Sequence, residues 1–236
     1  MVSRDALTHT ALILFTKAPV PGTVKTRLCP PLTHDEAASL HGSLVLDVIE
    51  KAQGLTGVTL YVACAPDIAH PFFKVLEGRY SARLLLQEGD DLGTRMSDAI
   101  QKAFSLGHQR VILTGTDLPS LTRAQVSQTV TQLGSHDLVL GPTLDGGYYL
   151  VALSRPAPEL FRDIAWSTTT VLEETQKKAA TLGLSVALLP SLRDLDEIED
   201  LKTFVQLAGK DKSLSKRTAG ALKLIAERLK ARQHDL

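Results

Sequence analysis

Short apolar runs alternate with longer amphipathic stretches along this chain. A short continuous apolar run bounded by turn residues predicts a buried strand. The predicted strands are Ala11–Phe15, Val58–Cys64, Arg83–Leu86, Arg110–Thr114, Leu138–Leu140 and Val186–Leu189. Because these strands alternate with helical stretches, we expect βαβ units and a largely parallel sheet.

The stretches between the runs carry apolar residues at helical spacing. The clearest runs from Thr33 to Ala52, where Thr33 and Glu36 form a capping-box signature. The other predicted helices are Asp91 to Phe104, Thr122 to Leu133, Thr168 to Leu182 and Glu197 to Leu207.

One further apolar run, Tyr148–Leu153, follows Leu138–Leu140 after the segment GPTLDGG. Two interpretations stay open for this arrangement: a β-hairpin, or a strand that leads into a bent active-site loop. The sheet is therefore expected to be mixed rather than wholly parallel.

The tail from Lys210 to Leu236 predicts a basic amphipathic helix. Leu222, Ile225 and Leu229 share one face, and lysines and arginines surround it. We expect this helix to pack on the domain formed by residues 1–209, with its basic rim in solvent. Contact with a membrane or a partner is the alternative.

The composition argues against several classes of protein. Lys plus Arg and Asp plus Glu are equal at 26 each, so nothing global favours nucleic acid or an anionic membrane surface. Two cysteines argue against a disulfide scaffold, and the seven histidines show no pair at ligand spacing. No apolar stretch is long enough to span a bilayer, so we expect a cytoplasmic protein.

A basic loop follows the first predicted strand. Lys17, Lys25 and Arg27 crowd this loop, and their charges repel each other unless an anion or carboxylate joins them. Pro21 stiffens the turn, and Gly22 allows close approach of the backbone. A loop in this position is a natural phosphate cradle, and a solvated basic surface is the alternative.

A carboxylate follows the fourth predicted strand. The strand runs directly into Gly115 and Asp117, and Pro119 ends it. In a parallel sheet this places Asp117 at the carboxyl end of a strand, where ligands bind. A carboxylate there suits Mg²⁺ or Mn²⁺ that also holds phosphate oxygens, although a turn or cap Asp is an equal alternative.

Two later segments also carry carboxylates. Asp145 precedes the pair Gly146 and Gly147, so it either orients an acceptor, binds metal or simply closes an Asp-Gly turn. Asp194 and Asp196 are two residues apart, so in an extended segment they face the same way. Either one supplies a second carboxylate to the metal, or both serve the start of the following helix.

Two weaker signals lie between these segments. Gly93 and Arg95, in DLGTRM, are candidates for the nucleotide side of a site, and Trp166 and Ser167, in IAWST, are candidates for its acceptor side. Purely structural roles are the alternative for each.

Six strings occur in order over most of residues 11–205: KAPVPGTVKTRL, DLGTRM, GTDLP, GPTLDGGYYLVAL, IAWSTTTV and LRDLDEIEDL. Together they resemble the bacterial DUF2064 family of GT-A-type nucleotide-diphospho-sugar transferases, whose relatives include phospholactate guanylyltransferase and the molybdenum-cofactor nucleotidyltransferases. The resemblance implies a three-layer α/β/α sandwich with a mixed, mainly parallel sheet.

The resemblance also implies roles for individual residues. Lys17, Lys25 and Arg27 would contact phosphates, Asp117 would hold the metal, and Asp194 or Asp196 would be its partner. The chain departs from the family pattern at Glu197, where threonine is usual. This departure leaves open which carboxylate is the ligand.

Three functions fit these residues. The first is nucleotidyl transfer from an NTP to a small-molecule acceptor, helped by a divalent metal, Lys25 and Arg27. The second is glycosyl transfer from an NDP-sugar, with Asp145 as the candidate base. The third is a nucleotide-sensing module without catalysis. The cationic loop favours the first.

Overall fold

The computed structural model describes residues 9–55 and 57–232, which form a seven-stranded sheet. The strands are β1 (Thr10–Lys17), β2 (Val58–Ala65), β3 (Arg83–Leu86), β4 (Arg110–Thr114), β5 (Leu138–Pro142), β6 (Tyr148–Leu153) and β7 (Val186–Leu188). Their order across the sheet is β3-β2-β1-β4-β6-β5-β7. Only β6 is antiparallel to its neighbours β4 and β5 among these strands. The prediction of a mixed, mainly parallel sheet is confirmed.

Seven α-helices lie in the described ranges: five connect strands, and the last two follow β7. They are α1 (His34–Gln53), α2 (Pro71–Tyr80), α3 (Leu92–Ser105), α4 (Arg123–Gln132), α5 (Val171–Thr181), α6 (Ile198–Leu207) and α7 (Lys216–Ala231). Short 3₁₀ turns lie at Thr26–Leu28 and Pro158–Phe161. The predicted capping box of Thr33 and Glu36 begins α1, with both reciprocal hydrogen bonds formed.

Helix α2 is absent from the sequence prediction. It begins with Pro71 at its first turn, and His70 caps it by accepting a hydrogen bond from the Phe72 amide. Gly78 lies inside the helix and lowers its intrinsic helical preference. Phe73 and Leu76 are fully buried against the sheet, so tertiary packing stabilises this helix. Its hydrophobic pattern is too short to predict a helix by itself.

Helices cover both faces of the sheet. On one face, Val45 and Ile49 of α1, Phe73 of α2 and Val126 of α4 pack on inward side chains of the strands. On the other face, side chains of α3 and α5 pack on the alternate residues of the same strands. The three-layer arrangement expected from the family resemblance is therefore confirmed.

The tail helix α7 is shorter than the sequence prediction of 210–236. It begins at Lys216, and residues 233–236 lie outside the described part. Its apolar face, Leu222, Ile225 and Leu229, is buried with residues of α1 and α6. No helix in the described ranges is long and apolar enough to cross a membrane.

Candidate active site

The basic loop turns sharply just beyond the end of β1. Lys17 is the last residue of β1, and Lys25 adopts a left-handed backbone conformation with φ 52° and ψ 32° before the 3₁₀ turn. That turn carries Arg27 on its exposed side and Leu28 fully buried on the other. The loop thus projects its cations differently: Lys17 and Arg27 into solvent, and Lys25 into the protein.

Lys25 meets oxygens of two other segments. Its Nζ lies 2.7 Å from Asp117 Oδ2 and 3.6 Å from Asp196 Oδ1, and it donates to the Leu195 carbonyl oxygen. The side chain is only 2% exposed. The free ammonium predicted to contact phosphate is therefore already surrounded by protein oxygens.

Asp117 lies at the floor of the cleft, one short turn beyond β4. Burial alone would raise the pKa of this carboxyl, but the Lys25 ammonium and the His41 imidazole outweigh it and hold the pKa well below its usual range. His41 Nδ1 is 3.5 Å from Asp117 Oδ1, while its Nε2 lies 3.0 Å from the Lys17 carbonyl oxygen. Asp117 is thus ionised and held from two sides.

The cleft has two lobes that share the floor residues Gly115, Asp117 and Asp196. The cationic lobe, of about 500 Å³, is lined by the basic side chains Lys17, Lys25, Arg27 and Arg95, with Thr16, Gln87 and Asp91 beside them. The acidic lobe, of about 540 Å³, adjoins it. The basic loop and the carboxylates after β4 and β7 therefore converge on one cleft.

The acidic lobe combines carboxylates with an aromatic wall. Tyr148 and Trp166 meet edge to face at 6.3 Å, and Ser167 lies beside them. Burial and the neighbouring carboxylate of Asp145, with Asp200 and Asp196 further contributing, raise the pKa of Asp194 to about 6.

Asp145 and Asp194 are brought opposite each other by backbone pairing. Thr143 forms an isolated parallel bridge with Leu192, so the two segments run side by side beyond β5 and β7. Asp145 Oδ1 accepts hydrogen bonds from the Thr143 hydroxyl and the Gly147 amide. These bonds fit the predicted Asp-Gly turn while the residue also lines the acidic lobe.

Four of the predicted site residues do not line either lobe. Pro21 and Gly22 form the exposed tip of the loop, where Gly22 has φ 79°. A Cβ at Gly93 would lie 2.3 Å from Trp166 Nε1, so this glycine lets the indole pack on α3 instead of facing a nucleotide. A Cβ at Gly146, which has φ 90°, would strike the Thr169 carbonyl oxygen at 2.1 Å.

Sequence reasoning missed several polar residues beneath the cleft. His41 comes from the buried face of α1, and Thr16 links it to Thr116 through hydroxyl contacts of 3.3 and 3.2 Å. Gln87 donates both amide protons to backbone carbonyls, of Thr16 at 3.0 Å and Ala63 at 2.8 Å. These residues lie far apart in sequence, and no local motif connects them.

Asp117, Asp194 and Asp196 carry the oxygens in this cleft that could become ligands of a divalent cation. Asp117 Oδ1 is buried and makes no hydrogen bond, with His41 Nδ1 3.5 Å away. Burial, followed by the neighbouring carboxylates, raises the pKa of Asp194, and a nearby cation would lower it again. No three His, Cys, Asp or Glu side chains in the described ranges are arranged to enclose a metal alone. A cation here would therefore complete its coordination with water or with phosphate oxygens of a ligand.

The model of a bacterial family described as "Uncharacterized protein conserved in bacteria (DUF2064)" matches residues 48–168. The chain belongs to this family. The membership inferred from the six strings is confirmed.

Two relatives extend the match over most of this DUF2064 member. A candidate nucleotide-diphospho-sugar transferase from Desulfovibrio desulfuricans is 31% identical with a TM-score of 0.84, covering 97% of this chain and 99% of that one. The 2-phospho-L-lactate guanylyltransferase of Methanothermobacter thermautotrophicus is 28% identical over 183 residues, 75% of this chain and 76% of the relative.

A more distant structure shares the fold alone. The 4-diphosphocytidyl-2C-methyl-D-erythritol synthase of Anaerococcus prevotii has a TM-score of 0.56 at 10% identity, covering 86% of this chain and 100% of that one. The fold of the DUF2064 member is thus that of nucleotide-diphospho-sugar transferases, and its homologue is a guanylyltransferase.

Proposed function

We propose that this protein transfers a nucleotidyl group from a nucleoside triphosphate to a small acceptor and releases pyrophosphate. The observation that carries the proposal is the single cleft in which a cationic lobe and an acidic lobe share Asp117 and Asp196. The first lobe suits a polyphosphate, and the second offers room for an acceptor beside it. The guanylyltransferase relative supports this reaction and favours GTP as the donor.

The reaction needs positioning and charge neutralisation rather than a protein nucleophile. An acceptor oxygen would attack the α-phosphorus, the bond to the β-phosphate oxygen would break, and pyrophosphate would leave with its electron pair. Lys17, Arg27 and Arg95 would hold the polyphosphate in the cationic lobe and stabilise the charge that develops on it.

A divalent cation, Mg²⁺ or Mn²⁺, is part of this proposal. Asp117 with Asp194 or Asp196 would hold it at the shared floor, together with phosphate oxygens. When bound, it would neutralise charge on the polyphosphate. The buried Asp117 Oδ1 without a hydrogen bond supports a cation here. If the reaction needs that cation, a chelator should abolish it.

Glycosyl transfer is the second candidate. The Desulfovibrio desulfuricans relative is described as a candidate nucleotide-diphospho-sugar transferase, and Asp145 lines the acidic lobe where a base would meet an acceptor. In that reaction a nucleoside diphosphate leaves, so the released product distinguishes the two candidates.

The test is incubation with each NTP and with NDP-sugars, with Mg²⁺ or with chelator, in the presence of pooled small acceptors. Metal-dependent pyrophosphate release supports the proposal, and nucleoside diphosphate from an NDP-sugar supports the second candidate. If neither product is released, both candidates are contradicted and nucleotide sensing is the function that remains.

A pair of variants locates the reaction in the cleft. Arg27→Met should raise the KM for the donor by about 5- to 150-fold, the equivalent of the ~1–3 kcal/mol of a charge-assisted hydrogen bond. Lys74→Met on α2, a half-exposed lysine paired with Glu77, is the matched control and should leave KM unchanged. Equal KM values for both variants would remove Arg27 from the donor site.

A further inference from the structure

Lys25 is surrounded by oxygens of the protein itself. Its ammonium lies 2.7 Å from Asp117 Oδ2, donates to the Leu195 carbonyl, and forms a longer ion pair with Asp196 Oδ1 at 3.6 Å. With the side chain 2% exposed, contact with a phosphate would require breaking these interactions. Arg27, in contrast, is 65% exposed.

The three oxygens come from two segments that are remote in sequence. Asp117 follows β4, whereas Leu195 and Asp196 lie between β7 and α6. One backbone hydrogen bond, from the Leu195 amide to the Asp117 carbonyl at 2.9 Å, also joins them. The two carboxylates repel each other, and the Lys25 ammonium between them offsets that repulsion, while Arg27 Nη1 pairs with Asp196 Oδ2 at 2.9 Å on the exposed side.

The backbone at Lys25 is held in place on its other side as well. Its left-handed conformation is unfavourable for a non-glycine residue, and it persists only where the surroundings determine it. The Leu28 amide donates to the Lys25 carbonyl at 3.0 Å, and the Leu28 side chain is fully buried beside α1. Packing in the core therefore fixes the backbone of Lys25, and the two carboxylates bind its ammonium group.

We propose that Lys25 is a positioning residue that sets the spacing of the Asp117 and Asp196 carboxylates and holds residues 192–197 against the end of β4. It acts through these groups and does not itself contact the polyphosphate. The contacts to phosphate are left to Lys17, Arg27 and Arg95. Only this last statement depends on the proposed function.

The first experiment measures amide hydrogen exchange without any ligand. Lys25→Met should accelerate exchange in residues 192–197 by about tenfold or more, although these residues are remote in sequence. Lys17→Met, which removes an exposed cation of the same lobe, should leave that segment unchanged. Unaltered exchange in Lys25→Met would overturn the proposal.

The second experiment measures binding of inorganic tripolyphosphate by calorimetry, with chelator present. Lys17→Met and Arg95→Met should each weaken binding by about fivefold or more, the scale of one lost charge-assisted hydrogen bond. Lys25→Met combined with Asp117→Asn, which removes one positive and one negative charge from the lobe, should stay within about twofold of the parent protein on that scale. A loss in this double variant equal to that in Lys17→Met would make Lys25 a phosphate contact.

A double variant protects the test against misfolding. Lys25→Met alone leaves Asp117 without its cation, whereas Lys25→Met with Asp117→Asn removes both charges. Faster exchange in residues 192–197 is expected in the double variant too, because the contacts to Leu195 and Asp196 are also lost. If the parent protein binds no tripolyphosphate with chelator or with Mg²⁺, the proposed function fails, while the exchange result still decides the role of Lys25.

Discussion

At the scale of single residues, Asp194 is the carboxyl group in the most unfavourable surroundings of the cleft. It is half-buried, and Asp145, Asp200 and Asp196 add negative charge around it, so its pKa rises to about 6. In the unfolded chain this aspartate has a pKa near its ordinary value of 3.8. The folded state therefore binds more protons than the unfolded state between these two pH values.

This difference in proton binding makes the stability of the protein depend on pH. Stability contributed by Asp194 is greatest below about pH 4 and falls as pH rises towards 6, because ionisation is less favourable in the folded protein. Asp194→Asn should therefore raise the free energy of unfolding at pH 7 by about 1 kcal/mol or more. At pH 4 the variant and the parent should be nearly equal.

Urea unfolding at the two pH values measures this difference. Glu173→Gln, at an exposed helical pair with Lys177, serves as the control and should show no such dependence on pH. A destabilised Asp194→Asn variant at pH 7 would show that Asp194 forms a favourable contact instead.

At the scale of elements, a buried aspartate joins α7 to α1. Asp47 is 3% exposed and accepts hydrogen bonds from the hydroxyls of Ser215 and Thr218, and Arg217 Nε approaches it at 3.1 Å. Ser215 also caps α7 by accepting from the Thr218 amide. One carboxylate thus fixes both the start of α7 and its place on the domain.

Loss of this carboxylate should release the helix. Asp47→Ala should destabilise the protein by about 2–3 kcal/mol, less than the ~3–5 kcal/mol of a fully buried pair because Arg217 can rehydrate. Glu50→Ala removes the exposed partner of the same arginine and should cost about 1 kcal/mol or less.

Urea unfolding ranks these two variants, and trypsin cleavage near residue 212 should be faster in Asp47→Ala alone. Equal effects of both substitutions would mean that burial of Leu222, Ile225 and Leu229 by itself holds α7 in place.

At the scale of the whole molecule, the sheet topology creates the cleft. Strands β1 and β4 are neighbours and parallel, so the basic loop and Asp117 emerge at the same edge of the sheet. The antiparallel strand β6 then separates β4 from β5, and the segments after β5 and β7 return to that edge as the acidic lobe. Ligands of open α/β sheets bind at such an edge.

Binding at this edge should stabilise the whole fold. A nucleoside triphosphate at about 100 times its Kd raises the free energy of unfolding by about 2.7 kcal/mol. For a chain of this size that corresponds to an increase in Tm of about 5–10 °C. Thermal unfolding with each triphosphate, with and without Mg²⁺, measures the shift and ranks the bases. A Tm that no nucleotide changes from its value in the protein alone would contradict nucleotide binding.

The sequence predicts the seven strands well because each is a short apolar run, which can be recognised from a few consecutive residues. It also predicts the capping box of α1, whose hydrogen bonds join residues three apart. It fails at α2, whose stability comes from Phe73 and Leu76 packing on the sheet. It also begins the tail helix six residues too early, because Lys210–Ser215 share the basic composition without the helical contacts.

What the sequence determined by itself was therefore the alternation of strands and helices, the family, and the segments that carry charge. Only the tertiary structure decided what each charge does, because a side chain's partners come from remote parts of the chain. It placed Lys25 under the cleft between Asp117 and Asp196, and it added His41 from the buried face of α1. Electrostatic interactions depend on distance and burial in space, and spacing along the chain specifies neither.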